Sequence, residues 1–400
     1  PSWRKTRFLC PCSWYCHGEV VTLNLNTAIK HIQGMKYSLI IPVYNRPDEV
    51  DELLQSIALQ TYKDMEVIVV EDGSSVTCAD VVQKYAKHLD LKYFQKPNSG
   101  PGQSRNYGAE RSQGEYLIVL DSDCVLPPTY LEEIEKELST NPYAAFGGPD
   151  RAHESFSPVQ KAINYSMTSF FTTGGIRGGK KKMDKFYPRS FNMGIQATLY
   201  RQLDGFSDMR FGEDIDFSIR IFKSGASCRL FPKAWVWHKR RTDLKKFFKQ
   251  VHNSGIARIN LYKRHPESLK LVHLLPAVFT LGTACLLLLF MVGVFLAGTG
   301  AFATCRATDA GTECITGPVT VMAFGGVLML LSLAPLLLFS LIICIDSAML
   351  NSSLKIGLLS VLASFIQLLG YGTGFIRAWW ARCVMGRNEE LQAFKKSFYK

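Results

Sequence analysis

Beyond about residue 270 the chain is almost free of charge, and this change of character constrains its fold more than any local motif. Leu271 to Gly298 contains no acidic or basic residue apart from His273. Val319 to Ile345 is a second such run, and Ile356 to Ile376 a third, softened by Gln367 and several glycines. Runs of about 20 apolar residues are long enough to cross a bilayer as helices. Core helices of soluble domains are seldom apolar on every face over such lengths. Before residue 270, charged and apolar stretches alternate as in a soluble α/β domain. The 400 residues therefore divide into a soluble head, expected over 35–245, and a C-terminal α-helical membrane region over 271–400.

The formal net charge of +12 is concentrated rather than spread. Lys239, Arg240, Arg241, Lys245, Lys246, Lys249, Arg258, Lys263, Arg264 and Lys270 crowd into the stretch before the first apolar run. Basic residues beside a span mark its cytoplasmic side and attract anionic headgroups. No RNA- or DNA-binding signature accompanies them, which argues against a nucleic-acid partner. The expectation is a cytoplasmic head whose basic neck, residues 246–270, lies against lipid. Three full crossings would carry the tail outside, yet that tail holds Arg377, Arg382, Arg387, Lys395, Lys396 and Lys400. Two segments are accordingly expected to span, with the third re-entrant or partly interfacial.

The eleven cysteines have no regular metal spacing. Cys78, Cys124 and Cys228 read as reduced thiols, whereas Cys305 and Cys314, between the first two spans, could form a disulfide. Cys10, Cys12, Cys16 and His17 are too cramped to favour a zinc site. Residues 1–34 lack the continuous apolar core of a signal peptide and read as an extension outside the fold.

Within the head, Tyr37–Val43, Met65–Val70, Leu91–Phe94 and Tyr116–Leu120 have strand character. Helical spacing covers Asp48–Gln60, Ala79–His88 and Gly102–Arg111. This alternation predicts a doubly wound, mostly parallel sheet. Asp72 and Asp121 end two of its strands, which places them at the carboxyl edge where such sheets bind ligands. The three-glycine dinucleotide fingerprint is absent, as is any P-loop, so neither a Rossmann dehydrogenase nor ATP chemistry is indicated.

Asp121-Ser122-Asp123 follows a buried-type strand. Two carboxylates one residue apart at that edge could hold a hard divalent cation that bridges a diphosphate, although Asp and Ser are also ordinary turn residues. Asp214 opens an expected helix, 214–220, beyond Gly212. It is a helix cap or a general base, with Glu213 and Asp216 as the other carboxylates available. His238, after Trp235-Val236-Trp237, is a third metal ligand or a structural residue among aromatics. The basic, glycine-rich stretch Gly174 to Lys182 is a mobile lid or a solvated loop.

Taken together, these segments resemble glycosyltransferase family 2, the inverting nucleotide-sugar transferases with the GT-A fold, and in particular their membrane-anchored bacterial members. Ile41-Pro42-Val43-Tyr44-Asn45 is similar to the family's opening strand and loop, and Glu71-Asp72-Gly73-Ser74 to its second acidic motif. Asn98-Ser99-Gly100 with Arg105-Asn106 looks like the segment that approaches the diphosphate. Asp121-Ser122-Asp123 matches the metal motif, and Gly212-Glu213-Asp214 the motif whose final Asp is the usual base.

The resemblance implies donor contacts from Pro42, Tyr44, Asn45, Asp72, Arg105 and Asp121. It implies Mg2+ or Mn2+ on Asp121, Asp123 and His238, and catalysis by Asp214. Arg177, Lys180, Lys181 and Glu213 are implied as acceptor or lid residues. The implied partners are a nucleoside-diphosphate sugar (a UDP-sugar is favoured), a lipid-linked saccharide acceptor and membrane lipids, at a bacterial inner membrane. The Gln-x-x-Arg-Trp signature of processive synthases would fall near Gln250, where the chain reads Gln250-Val251-His252-Asn253-Ser254. Its absence favours transfer of a single sugar. Two other readings are a transferase acting on a polyprenyl monophosphate and a non-catalytic sugar-nucleotide-binding subunit.

Overall fold

The structure is a computed structural model that describes residues 35–151, 156–174, 186–302, 306–308, 311–313 and 316–391. The expected extension over 1–34, the candidate lid residues Arg177, Lys180 and Lys181, both loop cysteines and the lysines of the tail lie outside the described residues.

The first half of the head alternates strand and helix as the sequence predicts: β1 (Tyr37–Val43), α1 (Pro47–Ala58), β2 (Met65–Asp72), α2 (Ala79–Tyr85), β3 (Leu91–Lys96), α3 (Pro101–Ala109) and β4 (Tyr116–Leu120). Their neighbours in space are parallel, in the order β3-β2-β1-β4. Every residue of β2 and β4 is buried, so these strands need no polar face. The pleat sends alternate side chains to opposite layers. Leu39, Ile41, Ile118 and Leu120 pack with Val50, Leu53 and Ile57 of α1, while Ile40, Leu117 and Val119 enter the core on the other side. Pro47 at the first turn of α1 and Pro101 at that of α3 preset the helical φ where no intrahelical N–H partner is needed.

The second half is mixed rather than parallel. After β5 (Cys124–Val125) and α4 (Tyr130–Thr140) come β6 (Ala145–Gly147), β7 (Asp150–Arg151), α5 (Pro158–Thr168), β8 (Asn192–Gln196) and α6 (Ala197–Gln202). Then follow α7 (Glu213–Lys223), β9 (Cys228–Leu230) and β10 (Val236–His238). β8 pairs antiparallel with both β4 and β6, and β9 closes the seven-stranded order β3-β2-β1-β4-β8-β6-β9. A small sheet, β5-β10-β7, sets His238 directly opposite Cys124.

The basic neck is not a linker. Residues 244–264 form one helix, α8 (Leu244–Arg264), with ten buried residues. Three helices long and apolar enough to cross a membrane follow: α9 (Leu275–Phe302), α10 (Thr316–Asn351) and α11 (Leu354–Trp379). Between the first two, Arg306–Thr308 pairs antiparallel with Gly311–Glu313.

α11 differs from its neighbours. In its most apolar window 39% of the residues are buried, against 11% for each of the other two. It is one continuous helix, which corrects the re-entrant alternative. The glycines expected to weaken it instead let it approach α8. A Cβ on Gly374 would sit 2.1 Å from the His252 carbonyl oxygen, and one on Gly255 of α8 would sit 2.1 Å from that of Tyr371.

Candidate active site

The carboxyl ends of β1, β2 and β4 open into a cleft of about 320 Å³. Its lining includes Pro42, Tyr44 and Arg46 after β1, Asp72 at the end of β2, and Asp121, Ser122 and Asp123 after β4. Arg105 of α3, Arg189 and Ser190, and the segment Arg210 to Ile215 complete the head side. The opposite wall is helical: Gln250, Ser254, Ala257, Arg258 and Leu261 of α8, with Tyr371 of α11. These α8 positions recur at three- and four-residue spacing and so share one face.

Arg105 organises the centre. Its guanidinium is buried and donates to Asp121 Oδ1 at 2.8 Å and to Glu213 Oε1 at 2.9 Å. It thereby joins the end of β4 to the start of α7. Asn106, expected beside it in the diphosphate segment, serves the scaffold instead: its side chain bonds Tyr200 and the backbone of Phe206.

Asp123 sits between two cationic groups. Arg46 Nη1 donates to its Oδ2 at 2.6 Å, and His238 Nε2 lies 3.2 Å from its Oδ1. Burial opposes ionisation of Asp123, but His238, Arg46 and Arg241 together outweigh it and hold the carboxyl well below its usual range. Conversely, burial alone would lower His238, and the Asp123 carboxylate reverses this and raises it. Two atoms each about 2.1 Å from one ion and roughly 90–110° apart lie about 3–3.4 Å from each other. The Asp123–His238 spacing fits that geometry. The Nδ1 of His238 is buried without a hydrogen-bond partner, and its ring stacks on Phe191 at 4.9 Å. Cys124 completes a cluster of potential ligands with this pair. Burial, however, pushes its thiol well above its ordinary value, so it stays protonated. Asp121, expected as a further ligand, accepts from Arg105 and is not part of this cluster.

Asp214 and Glu213 occupy the first turn of α7, where the helix dipole favours negative charge. Gly212 caps this helix at φ +82, a conformation that disfavours residues with a Cβ. Asp214 Oδ2 accepts from Arg189 Nε at 2.7 Å. Burial works against its ionisation, but Arg189 and Arg105 prevail and lower it. Glu213 behaves oppositely: burial outweighs Arg105 and pushes it up to about 7. Asp216 points away from the cleft and pairs with Arg220 at 3.0 Å and with His265 at 2.9 Å, which marks it as an anchor of α7.

Two expected donor contacts are placed differently. Asn45 does not line the cleft. Its Oδ1 accepts from the backbone N–H of Ser75 and Val76, and its own N–H donates to Ser74 Oγ, so it ties two loops together. Asp72 lines the cleft, but its carboxylate already accepts from the N–H groups of Ser99 and Gly100 and from Lys96. It shapes the turn that feeds α3. Arg46, Arg189, Arg210, Arg258 and Tyr371 had no motif to mark them. Arg189 arrives just before β8 and Arg210 just before α7, while Arg258 and Tyr371 are brought to the cleft by α8 and α11.

Residues 38–204 match the family described as Glycosyl transferase family 2. Over 93 residues it is 41% identical to the poly(ribitol-phosphate) beta-N-acetylglucosaminyltransferase TarS of Staphylococcus aureus, covering 22% of this chain and 16% of that protein. Over 102 residues it is 37% identical to the cholesterol galactosyltransferase of Borreliella burgdorferi, covering 25% of this chain and 28% of that one. The chain spans less than a third of the length of these relatives. Its fold is similar to that of the mannosyltransferase PcManGT from Pyrobaculum calidifontis, solved with GDP-Man and Mn2+. The TM-score is 0.51 at 15% identity, covering 87% of this chain and 88% of that one.

Proposed function

We propose that the protein is an inverting, metal-dependent glycosyltransferase. In this reading it moves one sugar from a nucleoside-diphosphate sugar, with a UDP-sugar favoured, to a lipid-linked saccharide at the cytoplasmic face of a bacterial inner membrane, in surface polysaccharide or lipopolysaccharide synthesis. One observation carries the reading. The strand-end carboxylates and Asp214 face a single cleft whose opposite wall, α8, is joined to apolar α9 by two short 3-10 turns, Pro266–Ser268 and Leu271–His273.

In the proposed reaction the acceptor hydroxyl oxygen bonds to the anomeric carbon as the bond from that carbon to the diphosphate breaks. Asp214 takes the hydroxyl proton, for which its Oδ2 must exchange Arg189 for the acceptor. Arg105 holds Asp121 and Glu213 in place throughout. Asp121, Asp123 and His238 would hold Mg2+ or Mn2+, which when bound neutralises charge developing on the departing diphosphate. Arg46 would then release Asp123.

The membrane arrangement supports the acceptor assignment. Tyr165 of α5 donates to Asp346 near the end of α10 at 2.6 Å, which brings that end back to the head. From there α11 runs along α8, from contacts around Phe247 to the pairing of Arg382 with Asn260. α8 carries Lys245, Lys246 and Lys249 and cannot lie in hydrocarbon. Hence α9 and α10 span, and α11 lies at the interface. Cysteines placed singly at Ser352 and Gly386, in a cysteine-free background, should both be shielded from a membrane-impermeant thiol reagent in intact cells. Labelling of one alone would mean that α11 crosses.

The activity itself is tested by incubating the full chain with a panel of nucleotide sugars and Mn2+ or Mg2+. Nucleotide release should depend on both the metal and an added polyprenyl-diphosphate sugar. Donor binding without acceptor-dependent release would favour a non-catalytic binding subunit instead.

A further inference from the structure

Six arginines line this cleft, and three of them are neutralised by carboxylates within it. Arg46 pairs with Asp123, Arg105 with Asp121 and Glu213, and Arg189 with Asp214. Arg210 and Arg258 are different. Neither makes an ion pair among the described residues, and the Nε of each is buried without a hydrogen-bond partner. A guanidinium donor withdrawn from water and left unmatched is costly, so it is the kind of group a ligand satisfies.

Their placement is specific. Arg210 stands in the segment that delivers Glu213 and Asp214, and Arg258 on the α8 wall opposite. The two elements touch beside them: a Cβ on Gly212 would meet Leu261 at 3.2 Å and Ala257 at 3.4 Å. Ser254 and Gln250 continue the face of Arg258 along the cleft. On its other side α8 packs through Ile256 and Ile259 against Leu274 and Ala277 at the start of α9. Arg258 therefore stands at the level where the first span enters the bilayer, the depth of lipid headgroups.

We infer that Arg210 and Arg258 form an anion site for the phosphate of the acceptor's lipid carrier, with its hydrocarbon chain remaining in the bilayer. The inference rests on the glycosyltransferase reading and adds the chemistry by which the acceptor is held. The donor diphosphate belongs to the other end of the cleft, beside Asp121 and Asp123, where Arg46 and Arg105 already stand. Arginine suits a phosphate here because its planar fork offers paired donors to two oxygens.

The test uses the full chain in nanodiscs of uncharged lipid, with three probes: a polyprenyl phosphate, the polyprenol of the same length, and inorganic phosphate. Binding is measured by competition without donor sugar. The polyprenyl phosphate should bind at least tenfold more tightly than either of the others. Arg258→Gln and Arg210→Gln should each weaken it about tenfold or more, and Arg258→Lys less than Arg258→Gln. Nucleotide-sugar titration should stay within about twofold of the parent, which also verifies folding. Equal binding of polyprenol and polyprenyl phosphate would overturn the inference. Inorganic phosphate binding as tightly as the lipid would overturn the lipid assignment. Loss of donor affinity in Arg258→Gln would reassign the arginine to the donor diphosphate. If no nucleotide sugar binds the parent protein, the glycosyltransferase reading fails, whatever the lipid probes show.

Discussion

The two walls of the cleft are built by different physics. The strand-end wall is a product of the sheet: β1, β2 and β4 are parallel and buried, so their carboxyl ends converge and their loops carry Tyr44, Asp72 and Asp121 to one edge. Its strand-end carboxylates Asp72, Asp121 and Asp123 sit in tight pairs with Lys96, Arg105 and Arg46. The α8–α11 wall is a product of helix packing, held where Gly255 and Gly374 let two backbones nearly touch. Its cation, Arg258, makes no such pair among the described residues. A wall of matched pairs is preorganised for one bound shape, whereas a wall with an unmatched cation awaits a charged partner. On the proposed reading the first wall serves the donor and the chemistry, and the second, with Arg210 across the cleft, the acceptor.

The largest effect should come from the junction of the walls. Asp214→Asn keeps shape and hydrogen-bonding capacity but cannot take a proton. Turnover should fall about 10²–10⁴-fold while donor affinity, followed by calorimetry, stays near normal. Near-normal turnover would move the base to Glu213. Asp123→Ala should act on the donor wall alone, weakening metal-dependent donor binding about 10- to 100-fold. Unchanged donor affinity with Mn2+ present would remove Asp123 from the metal site.

This contrast also explains what the sequence revealed. Donor-wall residues lie within a few positions of strand ends, and strand ends are marked by β-branched runs such as Tyr116 to Leu120 followed by acidic turns. Period-two and 3.6-residue patterns are local, so β1 to β4 and Asp121, Asp123 and Asp214 were legible. Asn45 and Asp72 were legible as positions but not as contacts, because whether a carboxamide or carboxylate faces a ligand or a neighbouring turn depends on backbone N–H groups such as those of Ser75 and Gly100. The antiparallel insertion of β8 between β4 and β6 needs pairings between residues more than 40 positions apart, as in Gly147 with Met193. Nothing local encodes it. Likewise the glycines of α11 read as weakening a span, since the sequence does not show the α8 backbone that occupies the space a side chain would need.

A smaller effect should separate the walls by stability. Gly255→Ala puts a methyl where the Tyr371 carbonyl oxygen lies, and such overpacking costs about 1–3 kcal/mol. The midpoint of thermal unfolding in detergent should fall, and acceptor KM should rise as Arg258 and Tyr371 shift. Donor affinity should not change, because no donor-wall residue packs on this contact. Parallel loss of donor affinity would show that the two walls form one cooperative unit.

The smallest expected effect tests which force governs Glu213, which stands where the walls meet. Burial pushes its carboxyl up to about 7, although Arg105 pulls it the other way. A carboxyl raised above its unfolded value keeps a proton in the folded state that the unfolded chain has released. Its contribution to stability is then fully present below the unfolded value, near 4.5, and is lost as pH rises through about 7. Glu213→Gln has no proton to lose, so the melting midpoint of the parent minus that of the variant should decline between about pH 5 and 8. Subtracting the variant cancels every other titrating group that the substitution leaves alone. A difference that instead grows with pH would mean that the 2.9 Å pairing with Arg105 outweighs burial. Glu213 would then be ionised at neutral pH, two negative charges would sit side by side at the start of α7, and Arg189 and Arg105 would both be needed to hold Asp214 next to it.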